Sequence, residues 1–287
     1  MQLQYGEVNG HMIGRILKET VRRATVVIRT ERLIFETKLK QGYSGSMDDV
    51  FTTADIKAQE IYVRAFNECF PYFGVIGEEN SLVIGSSKKY KDFYFTVDPL
   101  DGTKAYVRRQ SHGVGTMVAL VHKGKVICAY VGDINTEEVY GYRPDSNKVH
   151  RITRLDTVEK LSLESGPVLK ECYALLRDPA DQYSQSTRDL LVRFKNHEVI
   201  GSSIGIWMAQ LWKGEVGAVF MKPGTETPWD STPIIGISQK LGCAFLRPDV
   251  SRLGGWVEYE PRLSTEKYYR DHETLVIHRS RLKELGL

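Results

Sequence analysis

The stretch that decides the fold is TVDPLDGT at residues 96–103, which ends an apolar run with two carboxylates and a hydroxyl in quick succession. The residues FYFTV at 93–97 are aromatic or β-branched, which is typical of a strand. Proline cannot donate a backbone N–H to a neighbouring strand, so Pro99 predicts that this strand ends at Asp98. We therefore expect Asp98 at the mouth of a sheet.

Further oxygen donors follow Asp98 closely. Asp101 carries a second carboxylate, and Gly102 allows a tight turn, so that Asp98, the carbonyl of Leu100 and Asp101 can converge on one point. Three hard oxygens favour Mg²⁺, or failing that Ca²⁺ or Mn²⁺. Gly102 and Thr103 could then open a helix whose N–H groups and positive dipole end hold a phosphate. A metal ion and an anion would be neighbours.

Two other interpretations of this stretch are open at this point. In the first, Asp98 and Asp101 only cap turns. In the second, the chain is a phosphatase that forms an aspartyl-phosphate, but the motif of such enzymes has its two carboxylates closer together than Asp98 and Asp101. This spacing argues against an aspartate nucleophile. The choice between a metal site and simple caps depends on the other carboxylates.

The composition is that of a soluble globular protein: 287 residues, 41% of them hydrophobic, can form one large domain or two. The net charge of +3, from 39 basic and 36 acidic residues, predicts no nucleic-acid or membrane partner. The widely spaced cysteines are predicted to be reduced. No signal peptide pattern is seen, and no stretch approaches the ~20 apolar residues that span a bilayer. We expect a cytoplasmic protein.

Helices are predicted at the start of the chain. Apolar side chains at helical spacing indicate one long helix, or two, over residues 11 to about 38, and residues 41–49 indicate a mobile loop. Asp55 lies near the start of the next helix, where interaction with the helix dipole alone could explain it.

A sheet is predicted to follow. The run YFGVI ends at Glu78 and Glu79, and adjacent residues point in different directions, so we expect only one of the two to bind a metal ion. Two β-hairpins are predicted over residues 115–131 and 138–152.

The second half alternates strands and helices after a soft boundary near residues 160–167. A short helix is predicted over 190–195 and another over 204–212. Gly201, Ser202 and Ser203 precede the latter, where they could bind an anion or cap the helix. Asp230 is interpreted as the N-cap of the last long helix, and a capping carboxylate can leave one oxygen for a metal ion.

Five segments together carry a family resemblance. In chain order they are TTAD at 52–55, GEE at 77–79, DPLDGT at 98–103, GSS at 201–203 and WD at 229–230. The set resembles the inositol monophosphatase family of metal-dependent, lithium-sensitive phosphatases, which includes bisphosphate nucleotidases and histidinol-phosphate phosphatases. DPLDGT is specific, and the ordered combination is strong.

The resemblance implies a role for each matching residue. Glu79 resembles the carboxylate shared between metal ions, Glu78 an outer or third-site contributor, and Thr103 with Asp55 the pair that takes a proton from the attacking water. Asp98, the carbonyl of Leu100, Asp101 and Asp230 would complete the metal sites, which hold two or three Mg²⁺ per subunit. The catalytic residues would be Thr103, Asp55 and Glu79, and the substrate-binding residues Gly102, Thr103, Gly201, Ser202 and Ser203.

The substrate region departs from the family pattern. Many inositol phosphatases have an acidic residue in a G-x-x-D segment that binds substrate hydroxyls, whereas this chain has Gly217 at that place. Lys104 is commoner in nucleotidases that act on 3′-phosphoadenosine 5′-phosphate, and Gly115 with Thr116 and PWD resembles the histidinol-phosphate branch. These features do not select one substrate.

The resemblance implies an α+β fold, a layered αβαβα sandwich of the sugar-phosphatase type. We expect an N-terminal part over 1–160 with most metal ligands and a C-terminal part over 161–287 with the last one, together forming one compact unit. The expected activity is Mg²⁺-dependent hydrolysis of a small phosphorylated metabolite by water, in a homodimer. Alternatives are a 3′(2′),5′-bisphosphate nucleotidase, a histidinol-phosphate phosphatase, or an inactive protein that binds a phospholigand or metal ion.

Overall fold

A computed structural model describes residues 5, 8–40, 49–249, 251 and 255–287. They form five alternating layers of helices and sheets, which is the predicted architecture. The helices of this part of the chain are α1 (Gly10–Glu31), α2 (Thr53–Cys69), α3 (Thr103–Val107), α4 (Gln185–Leu191), α5 (Ile204–Lys213), α6 (Pro228–Lys240) and α7 (Leu282–Leu285).

The first layer consists of α1 and α2. The apolar stripe of α1 is fully buried, and it consists of Ile13, Leu17, Val21, Ala24 and Ile28. Because this stripe stops at Ile28, α1 ends at Glu31, and the prediction of helix up to residue 38 was wrong. The strands β1 (Thr37–Lys40) and β2 (Asp49–Thr52) pair there instead. The predicted mobile loop at 41–49 lies, except for Asp49, outside the described residues.

The second layer is an eight-stranded sheet in the order β10-β9-β8-β7-β6-β5-β3-β4. Val118 and Leu120 of β6 contact the core under α1 and α2, while Met117 and Ala119 face the opposite core. Both predicted hairpins are confirmed. The strands are β3 (Gly74–Gly77), β4 (Val83–Ile84), β5 (Phe93–Asp101), β6 (Gly115–His122), β7 (Lys125–Asp133), β8 (Val139–Tyr142), β9 (His150–Ile152) and β10 (Val158–Lys160).

The helices α5 and α6 form the middle layer, because they pack on β6 and β7 on one side and on a second sheet on the other. This six-stranded sheet has the order β12-β11-β13-β18-β15-β16. Its strands are β11 (Tyr173–Leu176), β12 (Asn196–Val199), β13 (Ala218–Met221), β15 (Cys243–Pro248), β16 (Trp256–Glu258) and β18 (Thr274–His278). A separate two-stranded ribbon pairs β14 (Gly224–Glu226) with β17 (Tyr268–Arg270).

The short helices α4 and α7 cover the outer face of the second sheet. The helix predicted over 190–195 begins earlier, at Gln185, because the Ser184 hydroxyl accepts the backbone N–H of Thr187 and caps it there. Among the helices of the described residues, none combines the length and apolar character that crossing a membrane requires.

The first sheet ends at Lys160 and the second begins at Tyr173, on either side of the predicted boundary. One apolar cluster nevertheless joins Met117 of the first sheet to Val219 of the second through α5 and α6. The division into parts 1–160 and 161–287 stays a prediction.

Candidate metal and phosphate site

Three carboxylates meet where the first sheet contacts the middle layer. Asp98 and Asp101 come from β5 and Asp230 from α6, and one oxygen of each lies within 4.8 Å of the other two. Asp98 and Asp101 are buried and Asp230 is half-buried. The structure thus brings together residues that are far apart in sequence.

A β-bulge places Asp98 and Asp101 on this cluster. The strand β5 continues to Asp101, so the prediction that it ends at Asp98 was wrong. Asp98 pairs with Met117 and Asp101 with Gly115, which leaves one extra residue in β5. On the other side, β3 pairs with β5 only as far as Val97, so the missing N–H of Pro99 interrupts no bond to β3. The bulge turns both carboxylates toward one point, and Leu100 N–H donates to Asp98 Oδ1 at 3.0 Å.

The N-terminus of α5 holds Asp101. Ser203 Oγ donates to Asp101 Oδ2 at 2.5 Å, Gly205 N–H donates to the same oxygen at 2.8 Å, and Ile204 N–H donates to Oδ1 at 3.1 Å. A carboxylate at a helix N-terminus is favoured by the exposed N–H groups and the helix dipole. This contact was not predicted, because residues 101 and 203 are far apart in sequence and carry no local signal of their meeting.

The predicted substrate segment at 201–203 therefore has a structural use. Ser203 is fully buried and its hydroxyl is already donated to Asp101. Ser202 lines an open cavity beside Asp101 and Asp230, and Gly201 is exposed. Contact of substrate with Gly201 or Ser202 stays a prediction.

Glycine is required where this segment approaches the DPLDGT loop. Gly102 has φ +87°, and a Cβ there would lie 2.4 Å from the Gly113 carbonyl oxygen and 2.8 Å from Ser203 N. A Cβ at Gly115 would lie 2.8 Å from Ser203 Oγ, so close packing accounts for this glycine without any reference to substrate.

We expect Gly102→Ala to lower the free energy of unfolding by at least about 3 kcal/mol, because both the φ angle and the backbone contacts exclude a methyl group. Gly124 is the matched control, since it has φ +69° with no atom within 4 Å of a new Cβ. Gly124→Ala should cost only about 1 kcal/mol. Urea unfolding of the two variants measures this difference, and equal losses would contradict the packing argument.

Thr103 and Asp55 form a hydrogen-bonded pair next to the cluster. Asp55 is fully buried at the third position of α2, where its Oδ2 accepts Thr52 N–H at 2.7 Å and Thr52 Oγ at 2.6 Å in a capping box. Its other oxygen, Oδ1, lies 3.3 Å from Thr103 Oγ, which is also 3.1 Å from the Leu100 carbonyl. The rigid cap therefore aims one carboxylate oxygen at the Thr103 hydroxyl.

Asp230 occupies the same position in α6 as Asp55 does in α2. Its interpretation as an N-cap was wrong, because Thr227 is the N-cap and Pro228 the first helical residue. Thr227 Oγ donates to Asp230 Oδ2 at 2.7 Å, and Asp230 N–H donates to Thr227 Oγ at 3.2 Å. These two hydrogen bonds hold Asp230, a candidate metal ligand, in the first turn of α6.

The GEE segment lies against the same site. Glu79 is buried, and its backbone N–H and carbonyl both bond the side-chain amide of Gln59, at 3.0 and 2.9 Å. Glu78 N–H donates to the Val97 carbonyl at 3.2 Å, which ties the segment to β5. The charge of Glu78 acts on both Asp98 and Asp55, and that of Glu79 acts on Asp55. Which of the two glutamates binds metal stays a prediction.

Burial and mutual repulsion raise the pKa values of these acids. Burial, followed by the charge of Glu78, raises the pKa of Asp98 well above its usual value. Burial raises the pKa of Asp101 despite its three hydrogen bonds. Burial, with the charge of Asp101, raises the pKa of Asp230 to about 6. Burial raises the pKa of Asp55 to about 7.

The protein treated with a chelator is expected to lose stability as the pH rises from about 4 to about 7. The raised pKa values of Asp55, about 7, and Asp230, about 6, mean that the folded state binds more protons than the unfolded state in this window. The free energy of unfolding therefore falls with increasing pH, on the order of 4 kcal/mol for Asp55 alone.

Urea unfolding in chelator over this pH range measures the slope. Asp55→Asn keeps an acceptor for the Thr52 cap but removes the titration, so its slope should be flatter, and contributions of other groups cancel in the comparison. Equal slopes for wild type and variant would contradict the burial of an ionisable Asp55.

The donor set fits a hard divalent cation. Within the described chain, none of the three clustered carboxylates forms an ion pair with a lysine, arginine or histidine. Buried carboxylates without a cationic partner are costly unless a metal ion neutralises them. Oxygen-only ligands favour Mg²⁺, Ca²⁺ or Mn²⁺. Asp98, Asp101 and Asp230 could thus hold such an ion, with the Leu100 carbonyl and the GEE carboxylates nearby in sequence and fold.

A cavity of about 500 Å³, which was not predicted from the sequence, adjoins the cluster. It lies between the carboxylates Asp101 and Asp230, the end of β11, and the β14–β17 ribbon. Its cationic lining residues are Arg177, Lys222 and Arg270. Arg177 directly follows β11, and this position at a strand end was the sequence feature that could have indicated a site residue.

Three curated proteins are similar to parts of this chain. Inositol-1-monophosphatase of Caulobacter vibrioides is 35% identical over 95 residues, 33% of this chain and 35% of that protein. Nus factor SuhB of Vibrio cholerae is 33% identical over 103 residues, 36% and 37% of the two chains. The 3′(2′),5′-bisphosphate nucleotidase CysQ of Haemophilus influenzae is 26% identical over 111 residues, 39% and 40% of the two chains. The matched segments thus span 35–40% of these relatives' lengths.

The fold is also that of solved structures. Staphylococcal inositol monophosphatase-1, in a complex soaked with lithium chloride, matches with TM-score 0.70 at 15% identity, over 98% of this chain and 96% of that one. This likeness confirms the predicted fold. The sequence model of the inositol monophosphatase family matches residues 13–285, nearly the whole chain. The chain therefore belongs to the inositol monophosphatase family.

Proposed function

We propose that this protein is a Mg²⁺-dependent phosphomonoesterase that hydrolyses a small phosphorylated metabolite with water as the nucleophile. The observation that carries the proposal is the convergence of Asp98, Asp101 and Asp230 next to the Thr103–Asp55 pair. Membership in the family supports the reaction class.

The metal ligands would be Asp98, Asp101, Asp230, Glu79 and the Leu100 carbonyl, with Glu78 as a further contributor. Bound Mg²⁺ would neutralise the phosphate, lower the pKa of water and stabilise the leaving alkoxide. Two or three ions per subunit is the expectation from the family resemblance.

The residues of the chain would handle the proton and the phosphate. The Thr103 hydroxyl accepts a proton from water while Asp55 Oδ1 accepts the hydroxyl hydrogen, so the two side chains act together as general base. Burial raises the pKa of Asp55, which favours its acceptance of that proton. The N–H groups of Gly102 and Thr103, at the start of α3, would bind the phosphate oxygens.

Phosphate release from a small panel tests the proposal. The panel contains inositol 1-phosphate, 3′-phosphoadenosine 5′-phosphate, histidinol phosphate and fructose 1,6-bisphosphate, each with Mg²⁺ and with chelator. Release from at least one ester only with Mg²⁺ supports the enzyme and indicates its branch. Folded protein that binds Mg²⁺ but releases no phosphate would favour an inactive binding protein.

Li⁺ is expected to inhibit, because it is a small hard cation that can occupy an oxygen site without supplying the charge of Mg²⁺. The lithium-soaked Staphylococcal relative is described as an inhibitory complex. Rates measured against increasing LiCl, with NaCl as the control at matched ionic strength, check this. A rate that falls equally in both salts would contradict competition at a metal site.

Other expectations from the sequence stay predictions: a homodimer and a cytoplasmic location. Inositol specificity is also unsupported by the residues, because Gly217 stands where many inositol phosphatases have an acid.

A further inference from the structure

The cavity beside the metal-ligand candidates contains one cation that differs from the others. Lys222 Nζ lies 3.3 Å from Asp178 and 2.7 Å from the Gln182 amide oxygen. Arg270 Nε donates to Glu226 at 2.8 Å, and its Nη2 donates to the Lys222 carbonyl at 2.7 Å. Both of these side chains are held by protein partners.

Arg177 is exposed, and within the described chain its guanidinium makes no hydrogen bond or ion pair. It follows directly after β11, so its backbone is fixed by a buried strand. It is close enough to the metal-ligand candidates that its charge lowers the pKa of Asp101 and Asp230 against the larger effect of burial. The cavity therefore holds one positive charge whose donors are available to a ligand.

The location of Arg177 separates it from the reacting phosphate. Thr103 and Asp55 do not line the cavity, whereas Asp101 and Asp230 do. A phosphate ester with its phosphate at Gly102 and Thr103 would extend its organic part across Asp101 and Asp230 into the cavity. Arg177 would then meet the organic part.

We propose that Arg177 binds a second anionic group, phosphate or carboxylate, on the organic part of the substrate. The enzyme would then prefer phosphate esters that carry such a second group. The planar guanidinium offers paired N–H donors that match either group. This inference rests on the proposed function, because it assumes that the phosphate binds at the metal site.

Matched pairs of esters test the proposal with Mg²⁺ present. The first pair is 3′-phosphoadenosine 5′-phosphate and adenosine 3′-monophosphate, which differ only in a phosphate. The second pair is 2-phosphoglycerate and glycerol 2-phosphate, which differ only in that a carboxylate replaces a hydroxymethyl group. KM and kcat are measured for wild type, Arg177→Ala and Arg193→Ala. Arg193 is an exposed arginine outside the cavity and serves as the control.

We expect Arg177→Ala to raise KM about 10- to 100-fold for the member with the second anionic group in at least one pair, with kcat nearly unchanged. KM for the members that lack this group should change less than about 2-fold. Arg193→Ala should change KM for neither kind of ester. If only the first pair responds, the group that Arg177 binds is a phosphate. If only the second pair responds, it is a carboxylate. Equal losses for both members, or no loss, would overturn the proposal.

Failure of the proposed function would appear differently, as wild type that releases no phosphate from any ester. Calorimetric binding of each pair to wild type and to Arg177→Ala then still tests Arg177. Identical affinities in the two proteins would overturn its role. Unchanged urea midpoints confirm that the variants are folded.

Discussion

Asp98→Asn is expected to reduce Mg²⁺-dependent phosphate release on the order of 1000-fold or more while the protein stays folded. Asp98 belongs to the cluster, with an oxygen within 4.8 Å of ligand atoms of both Asp101 and Asp230. Asparagine keeps the shape and one oxygen but removes the charge that would attract a divalent cation. Rates measured over a series of Mg²⁺ concentrations should show loss of both maximal rate and apparent Mg²⁺ affinity.

The same substitution should not destabilise the protein in chelator. Asp98 is buried, and Glu78, Asp101 and Asp230 all raise its pKa, so the ionised side chain opposes folding when no cation is bound. Its neutral replacement should raise the urea midpoint near neutral pH. The control is Asp181→Asn, because Asp181 is exposed and belongs neither to the carboxylate cluster nor to the cavity lining. This substitution should change neither property. An active, Mg²⁺-responsive Asp98→Asn enzyme would contradict the metal assignment.

Thr103→Val is expected to lower kcat about 100- to 10,000-fold, the range typical of general acid–base groups. Valine has nearly the same shape but no hydroxyl, so the hydrogen bond to Asp55 Oδ1 is lost, and with it the proposed proton path from the attacking water. The carboxylates of the cluster are untouched, and Mg²⁺ affinity should therefore stay the same. Single-turnover phosphate release and Mg²⁺ binding calorimetry separate the two effects.

Thr103→Ser is the matched control, because it restores the hydroxyl and should recover most of the rate. If serine and valine are equally inactive, the hydroxyl is not the group that matters. If valine retains the wild-type rate, Asp55 has a structural role only, as the cap of α2 through Thr52.

Much of the fold could be predicted because the chain follows local rules. The apolar stripe of α1, the turn at 123–125 and the continuous apolar runs of β6 and β7 each specify their own element. The family resemblance then supplied the layered arrangement, which periodicity alone did not indicate.

The errors occurred where tertiary contacts override a local signal. A proline usually ends a central strand. Pro99 does not end β5, because β3 stops pairing at Val97 and Pro99 lies in the bulge. Asp230 was misread as a cap although Thr227-Pro228-Trp229-Asp230 has the same T-x-x-D capping-box spacing as Thr52 to Asp55. That repeated spacing was a usable signal.

Parts of the site lay beyond sequence reasoning. The binding of Asp101 by the N-terminus of α5 joins residues more than a hundred positions apart. Among the residues that the structure describes, three cations line the cavity, and only the fold specifies that Lys222 and Arg270 are paired with carboxylates while the guanidinium of Arg177 is available.

The most direct test of the central claim is the melting temperature of chelator-treated protein as Mg²⁺ is added, because it requires no substrate. Binding to the folded state at about 100 times the dissociation constant contributes about 2.7 kcal/mol, which should raise the melting temperature of wild type by several degrees. We predict this rise for wild type and its absence in Asp98→Asn. No rise in wild type, or equal rises in both proteins, would contradict a metal site formed by Asp98, Asp101 and Asp230.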